Sequence, residues 1–236
     1  MQIEKLHTPE EVIAECAVVI DVLRAFTTAA FAFSVGAHKI IPVADPEEAF
    51  ELKRQNANYL LMGEIQGEPI PGFDFGNSPT EIQKLDLSGR TVVQRTSAGT
   101  QGVVRSRKSQ TILISSFVVA EATLKRILNL NPNKISFVIT GKYNGDEDLA
   151  LADYLETKIK NNHQTDAQPF IRRVESSPEG AFFSSSQHPQ FPISDLKHAT
   201  SIDLFPFAME LCCHSVLPAI YAVDEYGKSK YRNTND

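Results

Sequence analysis

Five times along the chain a short aliphatic run gives way to residues that can bind an anion or a hard cation. AVVI leads into Asp21, with Arg24 three positions on; YLLM leads into Gly63-Glu64; TVVQ leads into Arg95-Thr96-Ser97-Ala98-Gly99-Thr100. TILI is followed by Ser115-Ser116, and KISFVIT by Gly141 and then Asn144-Gly145-Asp146-Glu147-Asp148. Carboxylate oxygens suit a hard metal such as magnesium, and no His-x-x-x-His or Cys-x-x-Cys pair offers zinc an alternative. Hydroxyls, main-chain amides and guanidinium groups suit a phosphate.

Each group also has a purely structural reading. Asp21 can cap the helix that follows it. Arg24 can be a solvated first-turn residue, although a cation there opposes the helix dipole and so points to an anionic partner. Residues 95–100 read equally as a tight turn with hydroxyl caps and as an anion cradle, since the Lys of a P-loop is absent. Asp146, Glu147 and Asp148 stabilise the first turn of a helix whether or not they meet a metal. An EF-hand is excluded, because a loop begun at Asp146 has Leu151 where Gly belongs and Thr157 where Glu belongs. The chain has no Gly-x-Ser-x-Gly elbow and no Gly-x-Gly-x-x-Gly after its first aliphatic run. No cysteine has an Arg six residues later, and Asp21 has Leu23 rather than a second Asp two positions on.

The elements that must position these residues alternate in type. Buried strands are expected at 17–20, 39–43, 59–62, 91–94, 111–115 and 135–140, and helices at 23–35, 46–55, 117–130 and 149–160. Asp45 and Pro46 give the second helix a capping residue and a proline at its first position. Such alternation implies an α/β layered fold with a largely parallel or mixed sheet, whose ligands lie beyond the carboxyl ends of the strands, here expected at one edge. Residues 63–80 form a long Gly- and Pro-rich loop whose aliphatic and aromatic content argues for order. Residues 164–195 read as a surface excursion around a short helix, 194–213 as a last helix, 216–223 as a last extended segment and 226–236 as a polar tail. Pro218 suggests that the last strand lies at an edge. With no repeat and no linker, residues 1–236 read as a single domain.

Composition limits the partners. The 236 residues carry 23 Lys and Arg against 29 Asp and Glu, a net charge of −6, which disfavours nucleic acid while leaving room for a small anion. A hydrophobic content of 42% fits a packed core, and no apolar run spans a bilayer, so no membrane partner is expected. Neither a signal sequence nor a disulfide framework is visible around Cys16, Cys212 and Cys213, and the expected location is the cytoplasm.

The assembled residues resemble the 2-phosphosulfolactate phosphatases (ComB-like). The resemblance rests on VVIDVLRAFTTA, on Gly63-Glu64 followed by GFDFGNSPTE, on TSAGT, on SSFVVAEA and on Glu147-Asp148 opening a helix, and it spans residues 17–160 in order. It implies magnesium-dependent (Mg2+) hydrolysis of a phosphate monoester on a small 2-hydroxy acid, within coenzyme M and sulfolactate metabolism, by a homodimer. On that basis Asp21, Glu64 and Asp148 are expected to ligate magnesium, with Glu147 as an alternate. Arg24 and Arg95 are expected to hold phosphate oxygens, Thr96, Ser97, Gly99 and Thr100 to cradle the group, and Asn77 and Ser78 to close over it. Asp21 as a covalent nucleophile is the alternative to direct water attack. Where the family has Asn-Gly-Thr-Arg this chain has Ala98-Gly99-Thr100-Gln101; Arg95 is expected to supply the lost charge, and the identity of the substrate's second anionic group stays open. Another phosphorylated metabolite and a non-catalytic anion-binding role are the competing readings. Residues 205–211 are apolar enough for either a dimer patch or the core.

Overall fold

Cys16–Ile20 (β2) is buried at every position, as expected of a strand covered on both faces. The computed structural model describes residues 1–141, 145–161, 164–183, 188–213 and 217–229. After Gln2–His7 (β1) and β2 come Ala25–Ser34 (α1), Lys39–Val43 (β3), Pro46–Gln55 (α2), Leu60–Ile65 (β4), Glu68–Pro69 (β5) and Pro79–Ile82 (α3). Thr91–Arg95 (β6), Gly99–Arg105 (α4), Thr111–Ser115 (β7), a 3-10 turn at Phe117–Val119, Ala120–Leu130 (α5), Lys134–Ile139 (β8) and Asp146–Lys160 (α6) follow. The chain continues through Gln168–Ser176 (α7), Pro178–Phe183 (α8), Ile193–Ala199 (α9), Ala208–Cys212 (β9) and Ala219–Val223 (β10).

The strands form one mixed sheet in the order β1-β8-β2-β7-β9-β10-β3-β6-β4-β5. Strands β1, β8, β2 and β7 pair in parallel, as do β3, β6 and β4. The hairpin of β9 and β10 joins these two sets through three antiparallel pairings. Three reversals make the two sets run in opposite senses, so a flat sheet would send their carboxyl ends to opposite edges. Helix α1 resolves the conflict. Nine of its ten residues are buried, and a helix apolar all round must be enclosed. Ala17 and Val19 of β2 and Ile112 and Ile114 of β7 pack around it in one cluster with Ile40, Met62 and Val92 from the opposing set. The sheet therefore folds round α1. The alternate faces pack outward, with Val18, Ile20, Leu113 and Phe137 meeting α5 and α6, and Ile41, Val43, Leu61 and Val93 meeting α2.

Several expectations change. The carboxyl ends do not share one sheet edge; the curl brings them to one cavity. α1 begins at Ala25 rather than residue 23, α6 at Asp146 rather than 149, and 117–119 is a 3-10 turn. The described residues of 164–195 are not a surface excursion: α7 and α8 bury Ile171, Val174 and Phe183 in the core. Residues 194–213 are a short helix and then a strand, not one helix. β10 is internal, and Pro218 is tolerated because it precedes the strand's first residue. Ala208, Met209 and Leu211 are core residues, and Phe205 and Phe207 pack against the cluster that holds Met209 and Leu211, so 205–211 is no exposed patch. Asn144, Val216 and residues 230–236 lie outside the described residues. The polar-edged β1 was not expected; it pairs along its whole length with β8. No helix among the described residues is long and apolar enough to cross a membrane.

Candidate active site

β2 ends at Ile20, and Asp21 turns the chain into α1. Its Oδ1 accepts the Ala25 amide at 2.8 Å, so the capping role is real, and it occupies only one of the two oxygens. Oδ2 faces Gly99, where a Cβ would stand 2.7 Å from that oxygen and 2.8 Å from the Ala25 Cβ. Only glycine lets the start of α4 come this close. Burial pushes the Asp21 carboxyl up to about 6; the Ala25 amide opposes the rise and the Glu64 charge adds to it.

Glu64 comes from β4, in the set of strands that runs the other way. Its Oε1 accepts the Ser97 amide at 2.5 Å, while Oε2 accepts the Gly67 amide at 2.6 Å and the Ser97 hydroxyl at 3.2 Å. The long loop that follows is ordered, as its composition implied. Asp74 accepts the Leu61 amide at 2.7 Å, Phe75 bridges to Met62, and Ser78 caps α3.

The two acids that open α6 part company. Asp148 is buried with its oxygens on the amides of Val22 at 2.8 Å, Gly141 at 2.8 Å and Thr140 at 3.2 Å. It stitches β2 to β8 and does not line the cavity, unlike the ligand role expected of it. Burial and the Asp21 charge hold its carboxyl well above the usual range, against those amides. Glu147 faces the cavity with Oε2 buried and unpartnered. Burial lifts its carboxyl to about 10, with the charges of Asp148 and Glu179 adding to the effect.

The cavity has a volume of about 390 Å³ and gathers Asp21, Arg24, Glu64, Asn77, Ser97 and Glu147 of the expected set. The rest lie behind the wall. Arg95 gives its guanidinium to the carbonyls of Glu64 at 2.8 Å and Ala44 at 3.2 Å, so the charge expected from it is not on the wall. Thr96 and Thr100 bond each other across the turn, Gly99 makes room for Asp21, and Ser78 donates to Asp195 at 2.9 Å. Gln101 is held by the Ala44 carbonyl at 2.8 Å and lines a neighbouring cavity of about 140 Å³ with Arg105.

Sequence reasoning missed the opposite wall, formed by Glu179, Phe182, Phe183, His188, Gln190 and Phe191. The available signal was aromatic density: FF and HPQFP within eleven residues, 182–192, suit a covered face better than a solvated loop. Both oxygens of Glu179 and Oδ1 of Asn77 are buried without a donor. Among the described residues five carboxylates, Asp21, Glu64, Glu68, Glu147 and Glu179, thus line a cavity with one guanidinium, an imbalance that favours a hard cation or bound protons. Among the described residues no three His, Cys, Asp or Glu side chains gather closely enough to hold an ion alone. The Cys16 thiol is buried and pushed up to about 12, which leaves it inert.

A family model described as 2-phosphosulpholactate phosphatase matches residues 2–211. A probable 2-phosphosulfolactate phosphatase of Bacillus subtilis (strain 168) is 30% identical over 211 residues, which cover 89% of this chain and 92% of that protein. A protein of the same description from Carboxydothermus hydrogenoformans is 33% identical over 219 residues, covering 88% and 89%. One from Caldicellulosiruptor saccharolyticus is 39% identical over 152 residues, covering 61% and 63%. The match takes in both parallel strand sets, the long loop and the aromatic wall, well beyond residues 17–160, and on that extent the chain belongs to the 2-phosphosulpholactate phosphatase family of phosphoric monoester hydrolases.

Proposed function

We propose that the chain hydrolyses the phosphate monoester of a small 2-hydroxy acid, 2-phosphosulfolactate to sulfolactate and phosphate, with magnesium as cofactor. The observation that carries this reading is a single cavity in which oxygen donors on Asp21, Glu64, Glu147 and Asn77 face the guanidinium of Arg24. The names of the relatives supply the substrate, and the volume of about 390 Å³ suits a metabolite of that size. The unpartnered oxygens of Glu147 and Asn77 fit an oxygen-ligated cation, and Asp21, Glu64 and Glu147 would hold it together with water and substrate oxygens. Bound magnesium supplies charge neutralisation and polarisation of the phosphoryl oxygen.

The chain's own residues do the rest. Arg24 presents Nε and Nη2, which meet no acceptor among the described residues, to the non-bridging oxygens. Ser97 adds its hydroxyl beside Glu64. Asp21, anchored through Oδ1, has Oδ2 to orient the attacking water or to attack phosphorus itself. Inversion at an isotopically chiral phosphorus identifies the first route and retention the second. The aromatic wall excludes bulk water, which strengthens each of these contacts.

A phosphate-release screen over phosphorylated 2-hydroxy acids, nucleotides and sugar phosphates, with magnesium and with EDTA, tests the reading. Release confined to the hydroxy acids and abolished by EDTA is expected; release from nucleotides alone, or from none, overturns it. The homodimer and the cytoplasmic location implied by the resemblance belong to the same proposal, and sedimentation equilibrium and cell fractionation check them.

A further inference from the structure

Asp195, at the start of α9, has no solvent exposure and carries three hydrogen bonds to distant parts of the chain. Its Oδ2 accepts Nη1 of Arg24 at 2.7 Å; its Oδ1 accepts the Ser78 hydroxyl at 2.9 Å and the Thr80 amide at 3.1 Å. The same Nη1 donates to the Gln190 carbonyl at 2.9 Å. The guanidinium also lies 4.7 Å from the Phe191 ring centroid and 5.4 Å from that of Phe183. Phe191 is itself braced, because a Cβ on Gly67 would stand 2.3 Å from its ring. An arginine side chain in water samples many rotamers and loses that freedom on binding an anion. Here one end is fixed by a buried carboxylate and the head lies against two rings, while Nε and Nη2 meet no acceptor among the described residues, on a side chain that lines the cavity.

We propose that Asp195 and Phe191 are positioning residues that hold Arg24 ready for the substrate phosphate, and that Asp195 couples this hold to the Asn77-Ser78 loop. The proposal rests on the reading of Arg24 as a phosphate-binding group. It assigns a purpose to the chain beyond residue 178: α9 supplies the anchor, and the segment before it supplies the stacking face.

The test is a double-mutant cycle. KM, kcat and the inhibition constant of inorganic phosphate are measured for the wild type, Asp195→Asn, Arg24→Gln and the double variant, with thermal melts alongside. Asp195→Asn is expected to raise KM and the phosphate inhibition constant about tenfold or more, since small misplacement of a binding group is costly. In the Arg24→Gln background the same substitution is expected to change neither. Equal effects in both backgrounds, or a lowered melting temperature with an unchanged phosphate constant, overturn the proposal while leaving Arg24 in its role. An Arg24→Gln variant that binds phosphate as tightly as the wild type overturns the reading beneath it, and the proposal with it. Should Asp195→Asn fail to fold, Phe191→Leu in the same cycle carries the same two outcomes.

Discussion

Asp21 caps α1 through the same carboxylate that is proposed to act on the substrate, and its protonation exposes the tension between the two. Its folded value of about 6 lies above the ordinary 3.8, so the native chain binds this proton more tightly than the unfolded chain does. The associated stability is complete below the unfolded value and is lost as pH rises through about 6. Glu147 acts in the same sense, between its ordinary 4.5 and about 10. Without a divalent cation the melting temperature should therefore fall from pH 4 to pH 8. Asp21→Asn keeps an acceptor for Ala25 and removes the charge. It is expected to melt higher than the wild type at pH 8, by roughly 2–4 °C per kcal/mol of repulsion relieved. Phosphatase activity should drop about a hundredfold or more. Melts in EDTA across that pH range check the sign, and a variant less stable than the wild type at pH 8 contradicts it. Asp148 is the structural counterpart: Asp148→Ala strands the buried amides of Val22 and Thr140 and the half-buried amide of Gly141, and should cost about 3 kcal/mol in urea unfolding.

At the scale of elements, the junction between α1 and α4 decides where the carboxylate points. Gly99→Ala forces the start of α4 away from Asp21 and Ala25. It should lower kcat about tenfold while costing roughly 1–3 kcal/mol of stability, read from kinetics and melts on the same sample. Most strands that lead into the cavity were legible because both their faces are buried, which leaves continuous aliphatic runs such as AVVI and LLM. β9 was not, because AMELC is as compatible with a helix as with a strand, and only its pairing with β7 and β10 decides. Asp21, Arg24, Glu64 and Glu147 could be found by their place after such strands. Asp148 and Arg95 follow the same rule yet turn to backbone partners, a choice that local sequence does not encode. Phe191 and Asp195 come from a segment whose burial has no period, so its link to Arg24 exists only in three dimensions.

Across the whole molecule, the excess of acids is concentrated where it is least comfortable. Asp21, Glu64, Glu68, Glu147 and Glu179 meet in one cavity because the sheet folds round α1 and the wall of Phe182, Phe183, His188 and Phe191 covers the other side. That closure should tighten when the charges are matched. Backbone amides of residues 188–199 are expected to exchange several-fold more slowly with magnesium and phosphate present than with either omitted, as read by hydrogen-exchange mass spectrometry. The most direct measurement is the rate of phosphate release from 2-phosphosulfolactate by the wild type and by Asp21→Asn, each with magnesium and with EDTA. Release by the wild type with magnesium alone, and near-background rates in the other three conditions, is the expected result. Equal rates for the two proteins, or release undiminished by EDTA, would contradict the assignment of Asp21 and its cavity as a magnesium-dependent phosphatase site.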